Sequence, residues 1–369
     1  MQYPTILLRT FCAFFVAMLL LGKTCIAQFP YSQFGVSLCG PEFGQDQIPG
    51  ILNKDYVYPR TDEVNYFANK GVSIVQLPFR WERLQKQLGA ELDMEEVNRM
   101  KTLIYDCEFR GLMVILNMHN FGRYKNRGEE LVLGSAQLPI KYLRDFWKKM
   151  AIAFKANKNI YAFDIMNEPH DLGENVWFNA AQQTIWGIRE INSTLTVMVE
   201  GDHYANANVW EKFSDNLKYL KDPSNKIVFN AHCYFDHDVS GRYTKSYEHE
   251  GAHEQIGVQR VKPFIDWIKK NGVKGYVGEF GVPRNDARWL PILENFLEYL
   301  TANHISGSYW AAGPWWKNYP LSLEPVNGQD QPQMAVYTKY INSSNNVAKN
   351  NTFKNTPPQA IQLNSYSAR

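Results

Sequence analysis

Two glutamates in this chain occupy settings that suit catalysis. Glu168 follows Asn167 at the end of an apolar run, in Ile165-Met166-Asn167-Glu168-Pro169-His170, and Glu279 closes a second run, in Gly278-Glu279-Phe280-Gly281. Two carboxylates facing each other across a cleft can split a glycosidic bond: one protonates the leaving oxygen, and the other attacks the carbon or activates water. Their surroundings must differ, so that one keeps its proton while the other is ionised. Further groups of chemical use stand at the ends of comparable runs: Arg80, His119, His232, Tyr234 and Trp310. Arg80 is placed to keep a neighbouring carboxylate charged, and Tyr234 to donate a hydrogen bond to it. Both favour Glu279 as the ionised nucleophile and leave Glu168 as the group that must hold a proton. A lone glutamate at a strand end is more often a helix cap or an ion-pair partner, and a lone histidine is more often structural. The argument rests on the constellation.

Such residues act together only if the chain brings the ends of its apolar runs to one place. Eight runs read as strands: Phe34–Leu38, Val72–Pro78, Leu112–Met118, Tyr161–Met166, Thr196–Glu200, Lys226–Cys233, Lys274–Glu279 and Ser306–Trp310. Most are almost continuously apolar, as parallel strands buried on both faces are. Helical patterns alternate with them, near Thr61–Lys70, Asp93–Arg110, Pro139–Ala156, Val176–Asn192, His253–Lys270 and Arg288–Asn303. The clearest is Asp93–Arg110, where Asp93 can cap, Glu96 can complete a capping box, Val97, Met100, Ile104 and Cys107 form one face, and Gly111 ends it. This alternation predicts an α/β fold, a single-domain (β/α)8 TIM barrel, in which polar residues at strand C-termini line the active-site mouth. A doubly wound sheet fits less well, because no glycine-rich phosphate turn follows the first strand.

Composition agrees with a secreted, soluble catalytic domain. The chain has 369 residues, 45% hydrophobic and 21% charged, and 39 basic against 37 acidic residues leave a formal charge of +2. That balance argues against nucleic acid or an anionic membrane as partner. Residues 1–27 read as a signal peptide: Arg9, an apolar run from Phe11 to Leu21, and a small-residue exit at Ala27. Residues 28–342 form the expected catalytic domain, and the Asn- and Ser-rich segment 343–369 reads as a disordered tail. Cys39, Cys107 and Cys233 remain in the mature chain with no metal-type spacing, so neither a metal nor a disulfide is expected. Asn192-Ser193-Thr194, Asn342-Ser343-Ser344 and Asn350-Asn351-Thr352 would accept glycans only in a eukaryotic secretory pathway.

The motifs resemble family 5 glycoside hydrolases over roughly Gln33 to Tyr340. The Ile165–His170 segment resembles the family's fourth-strand signature, in which the glutamate of the Asn-Glu pair is the acid/base, and Gly278–Gly281 resembles its nucleophile motif. The resemblance places Arg80 at the family's nucleophile-contacting arginine, His119 at its third-strand histidine and His232-Cys233-Tyr234 at its His-x-Tyr. Trp310 falls at the aromatic platform under the sugar. Leu77–Leu84, Met166–Asp171 and Trp310–Trp316 look most like the endo-β-1,4-glucanases. Tyr161 departs from the usual aliphatic residue, and the flanks of His119 are variable among relatives, which leaves the choice among β-glucans open. The implied chemistry is retaining double displacement on a β-glucan chain, by a monomer without cofactor, with Asn167 bonding the sugar 2-hydroxyl. Another β-glycanase, a β-mannanase or mixed-linkage glucanase, is the nearest alternative. A carbohydrate-binding barrel without catalysis is the more distant one.

The aromatics divide by position. Trp81, Trp210, Trp315 and Trp316 lie just past strand ends or in the following loops and are candidates to line the substrate groove, with packing of the loops as the competing reading. Trp147, Trp186, Trp267 and Trp289 fall in helical patterns and are expected in the core between barrel and helices.

Overall fold

The computed structural model describes residues 32–341. The expected signal peptide and the 343–369 tail lie outside the described residues. Each expected strand is present, with ends displaced by two residues at most. The chain runs through β1 (Phe34–Leu38), α1 (Thr61–Lys70), β2 (Ile74–Phe79), α2 (Trp81–Leu84), α3 (Met94–Phe109) and β3 (Met113–Met118). An unexpected antiparallel hairpin follows, β4 (Arg123–Asn126) and β5 (Glu129–Val132), then α4 (Lys141–Ala153), β6 (Ile160–Asp164), α5 (Val176–Arg189) and β7 (Thr196–Glu200). A short α6 (Trp210–Ser214), β8 (Ile227–His232), α7 (Ile256–Asn271), β9 (Gly275–Glu279), α8 (Trp289–Ala302) and β10 (Ser306–Ala312) complete the barrel, and a helical stretch over 332–341 follows. Among the described residues eight parallel strands close in the order β1-β2-β3-β6-β7-β8-β9-β10, with β10 pairing back to β1.

Side chains alternate along each strand, so residues two apart share the barrel interior. Ile74, Ile115, Ala162, Met198, Val228 and Tyr276 form one apolar cluster, the barrel floor. Two residues further on each of those strands come Gln76, Asn117, Asp164, Glu200, Asn230 and Gly278. The five of these that carry polar side chains are fully buried. Barrel interiors are usually filled by branched apolar side chains. A polar layer in their place survives only if its members satisfy one another.

The helices cover the outside as their periodicity requires. In α3, Val97, Met100, Ile104 and Cys107 are buried, and Asp93 accepts the backbone N–H groups of Glu95 at 2.9 Å and Glu96 at 3.2 Å. The expected capping box does not close. The Glu96 carboxylate instead accepts from the hydroxyls of Tyr56, at 2.5 Å, and Tyr58, at 2.9 Å, and pairs with Arg99. Trp147, Trp267 and Trp289 are buried as expected, but Trp186 is 49% exposed. It sits on α5 outside the stripe that Ile185 and Ile188 turn inward. Cys39, Cys107 and Cys233 are buried free thiols.

One ion pair ties the end of α5 to the loop before β8. Arg189 binds Asp222 through two parallel hydrogen bonds of 2.6 and 2.9 Å, and its remaining nitrogen donates to the carbonyls of Asn192 and Leu195. Burial alone would raise the Asp222 pKa, but Arg189 and the backbone amides of Lys226 and Ser224 outweigh it and hold it below the usual range. A depressed carboxylate pKa stabilises the fold above the ordinary pKa, and that contribution is lost as pH falls through the folded value. Arg189→Met should cost about 3–5 kcal/mol in denaturant unfolding, because it strands a buried charge. Adding Asp222→Leu should recover much of the loss; a double variant no better than the single one would show that the pairing is not the cause.

Candidate active site

The mouth is built directly on the polar layer. Asn167 and Glu168 follow β6 in a turn held against β3, where the Asn167 N–H donates to the Met118 carbonyl at 2.7 Å. Glu168 adopts a left-handed backbone conformation, with φ of 43°. Its N–H donates to Glu200 Oε2 at 2.7 Å, so the end of β7 holds the turn from below. Glu279 is the last residue of β9. The glycine before it is required by packing: a Cβ on Gly278 would lie 2.5 Å from the Asn230 side chain. Gly281 is constrained likewise, because a Cβ there would meet the Trp310 carbonyl oxygen at 2.5 Å. Between the two glutamates stands His232. Its Nδ1 is 2.7 Å from Glu168 Oε1 and 3.5 Å from Glu279 Oε2, and its Nε2 is 3.3 Å from Glu200 Oε2. Tyr234 donates its hydroxyl to Glu279 Oε2 at 2.6 Å.

Glu279 Oε1, Asn167 Nδ2 and His232 Nε2 are buried without a hydrogen-bond partner among the described residues, and the last of them faces Glu200 only as a charge contact. Such groups are costly unless a ligand completes them. Asn167 is turned so that its oxygen accepts from Asn117 Nδ2 at 3.5 Å, which leaves the amide N–H groups to a substrate.

The electrostatics follow from crowding. Burial works against a charge on His232, but Glu200, Glu279 and Glu168 outweigh it and hold its pKa well above the ordinary value. Burial pushes the Glu279 carboxyl up to about 8, with Glu168 and Glu200 adding to the rise. The His232 charge and the Tyr234 hydroxyl oppose it. His119 is the reverse case: burial, Arg80 and His232 keep it neutral. Its Nδ1 lies 3.2 Å from Asn117 Oδ1, so Nδ1 carries the proton and Nε2 is an acceptor. Glu168, His232 and Glu279 are close enough together to hold a cation. A metal there would have to displace a proton from His232.

The remaining expected site residues have mixed outcomes. Arg80 lies at the end of β2, but its guanidinium donates to the Glu42 carbonyl at 3.1 Å and to Gln45 Oε1 at 2.8 Å. The expected pairing of Arg80 with Glu279 is not among the ion pairs of the described residues. The β1 loop, whose carbonyl and amide oxygens lie closer, takes up its donors. Trp310 is at the mouth, stacked on His119 with centroids 5.2 Å apart and planes 6° from parallel. That ring and Trp316, edge-on at 5.7 Å, leave it only 8% exposed, so it is a more covered platform than expected. Trp315 and Trp316 are half-buried, and Trp316 stacks on Tyr319 at 4.4 Å. Trp81 corrects the reading: it is fully buried, donates to Gln85 Oε1 at 3.0 Å and packs on Tyr124 and Phe146, so it cannot touch a substrate. Trp210 is buried likewise against Phe264 and Trp267. Sequence reasoning passed over Asn117, Asp164, Glu200 and Asn230 beneath the mouth, and Tyr319 beside it. Glu200 had a signal, since it ends its strand as Glu279 does.

A closed parallel barrel whose mouth sets two carboxylates on either side of one histidine defines a glycoside hydrolase. The family model for cellulase (glycosyl hydrolase family 5) matches residues 27–315, and the chain belongs to that family. It is 33% identical over 302 residues, 81% of this chain and 88% of the relative, to endo-beta-1,4-glucanase B of Emericella nidulans. It is 32% identical to endoglucanase 3 of Humicola insolens, over 82% of this chain and 75% of that relative. Among solved structures it is similar to the Pseudomonas stutzeri endoglucanase Cel5A in complex with cellobiose, with a TM-score of 0.80 and 34% identity over 85% of this chain and 95% of that one. It is also similar to the endo-beta-1,4-glucanase Xac0029 of Xanthomonas axonopodis pv. citri, with a TM-score of 0.78 and 33% identity over 85% and 99% of the two chains.

The Tyr234 hydroxyl stabilises the ionised form of Glu279, so its loss raises the Glu279 pKa. Tyr234→Phe should therefore move the acid limb of hydrolysis of an activated aryl glycoside to higher pH. A hydrogen bond to a buried charge is worth about 1.5–3 kcal/mol, which corresponds to a shift of roughly one to two pH units. An acid limb that stays in place, measured as kcat/KM against pH, would separate Tyr234 from the ionisation that limits the rate.

Proposed function

We propose that the protein is a secreted, retaining endo-β-1,4-glucanase that cuts internal bonds of cellulose or a related β-glucan. One observation carries the mechanism: the ligating atoms of Glu168, His232 and Glu279 all lie within 4.8 Å of one another. Retaining enzymes hold their carboxyl groups about 5–5.5 Å apart, whereas inverting ones leave about 6.5–9.5 Å for a water molecule. In this reading Glu279 Oε1, the free oxygen, attacks the anomeric carbon while Glu168 protonates the departing oxygen. Water, deprotonated by Glu168, then releases the glycosyl-enzyme. Asn167 Nδ2 bonds the sugar 2-hydroxyl, His119 Nε2 accepts from another hydroxyl, and Trp310, Trp315 and Trp316 border the sugar. Arg80 acts through the β1 loop that it fastens.

The substrate class is supported by the printed activities of the relatives and by the cellobiose complex of the Pseudomonas stutzeri protein. Secretion is supported by the leader-like N-terminus, and no helix of the described residues is long and apolar enough to cross a membrane. Hydrolysis of carboxymethylcellulose in preference to mannan is the expected outcome on a substrate panel; the reverse preference would make the protein a mannanase on the same scaffold.

The two glutamates separate kinetically. Glu279→Ala removes the nucleophile and should be nearly inactive on every substrate. Glu168→Ala should still form the glycosyl-enzyme from an activated aryl β-cellobioside, giving a burst of phenol and then a slow phase, because no base activates water. Azide needs no base, so it should speed the slow phase and give a β-azide product. A burst from Glu279→Ala instead of Glu168→Ala would reverse the roles, and an α-azide product from Glu168→Ala would rule out retention.

A further inference from the structure

Beneath the mouth lie two carboxyl groups that the reaction does not consume. We propose that Glu200 is a positioning residue, fixing the Glu168 turn and the His232 ring from below, and that Asp164 supplies the shared proton that lets this carboxylate be buried. The proposal rests on the glycosidase reading for its activity arm, but its structural arm does not depend on it.

Glu200 is surrounded by donors. Its Oε2 accepts the Glu168 N–H at 2.7 Å and faces His232 Nε2 at 3.3 Å. Its Oε1 accepts from Asn117 Nδ2 at 3.2 Å and from Asn230 Nδ2 at 3.4 Å. Both amides also reach Asp164 Oδ2, at 3.0 and 2.8 Å, so they clamp the two carboxyls together. Asp164 and Glu200 are each fully buried. Two adjoining buried carboxyls cannot both ionise, and one keeps a proton that bonds them. Asp164 is the one that keeps it: burial and the Glu200 charge hold its pKa far above the carboxylate range. The assignment also follows from position, because Glu200 faces the His232 cation and Asp164 does not.

Glu200 thereby does two things for the mouth. It accepts the backbone N–H of Glu168 in its left-handed turn, and its charge keeps His232 doubly protonated. Five groups bear on that imidazolium: Glu168 from the β6 turn, Glu200 from β7, Glu279 from β9, Tyr234 through Glu279, and His119 from the β3 end, which itself faces Arg80 of the β2 end. Arg80 and His119 do not stabilise the proton. Of the carboxylates that do, Glu200 alone sits below the cleft and leaves it unobstructed.

The test is a histidine titration by nitrogen NMR on the full chain, paired with pH profiles for an aryl β-cellobioside. Glu200→Gln replaces an acceptor among donors with a neutral amide, so the His232 midpoint should fall. The alkaline limb should move to lower pH, and kcat should drop about 100-fold from misplacement of Glu168 with little change in KM. Asp164→Asn preserves a donor toward Glu200 and should leave the His232 midpoint and both limbs in place. An unmoved His232 midpoint in Glu200→Gln would overturn the proposal. So would a lowered midpoint in Asp164→Asn, since it would make Asp164 the charged partner. If Glu200→Gln fails to fold, Asp164→Asn still decides the proton's location. Failure of the glycosidase reading would appear separately, as a wild-type protein without activity on any β-glucan.

Discussion

A carboxylate deprived of water persists only where donors replace its hydration, and several donors of the barrel interior converge on Glu200. The Glu168 backbone N–H and the Asn117 and Asn230 amides donate to its two oxygens, and His232 Nε2 faces one of them at 3.3 Å; these groups come from three strands, β3, β6 and β8, or the turn that follows one of them. The convergence exists only when β3, β6, β7 and β8 lie side by side in the barrel. The apolar floor supplies the hydrophobic stabilisation, and in the layer above it Asn117, Asp164, Glu200 and Asn230 offset part of their desolvation cost through mutual hydrogen bonds, whereas the Gln76 amide is left without a partner among the described residues.

This layering separates what the reaction needs from what the substrate needs. The groups on Glu168 and Glu279 hang from strand ends, whose positions the closed hydrogen-bond ladder fixes. The aromatic groups at the rim hang from loops: Trp315, Trp316 and Tyr319 follow β10, and Phe43, which packs edge-on against Trp316 at 4.9 Å, follows β1. Loops can change length and composition without disturbing the ladder. That is the physical reason the type of reaction is better determined here than the type of polysaccharide.

The barrel was legible in the sequence because its signal is repeated. Each apolar run carries the same message, and an error of two residues at one end changes nothing about strand order. The two glutamates were legible because each ends such a run in a motif with a glycine or an asparagine beside it. Trp81 was misread for a related reason. Position just past a strand end says where a residue starts but not which way it turns, and Trp81 opens α2, whose packing turns the ring inward toward Tyr124. Arg80 shows the same limit: its location at β2 was right, but the β1 loop that takes its donors is far away in sequence. Glu200 ends its strand as Glu279 does, but its partners, the Glu168 N–H and the amides of Asn117 and Asn230, lie 30 residues or more away in sequence. The capping role given to Glu96 failed against Tyr56 and Tyr58, partners some forty residues earlier that no local rule can see.

The place of His232 acquires a reason once the charges are followed through a double displacement. In the proposed reaction the negative charge before attack is on Glu279, which the His232 charge and the Tyr234 hydroxyl help to ionise, and the proton is on Glu168. After glycosylation Glu279 is a neutral ester, and the charge is on Glu168. The pair thus carries one negative charge at both stages, but on opposite sides of the cleft. His232 Nδ1 is 2.7 Å from one carboxyl and 3.5 Å from the other, so a single N–H faces the charge wherever it resides. An imidazolium fixed from below by Glu200 need not move as the charge crosses, and preorganisation of this kind is what makes electrostatic catalysis effective in a dry site. A neutral imidazole would not serve, since it could not carry a positive charge toward both a carboxyl and Glu200. The buried carboxylate is thus the condition for a stationary cation, and the stationary cation lets the two glutamates exchange roles without rebuilding the site.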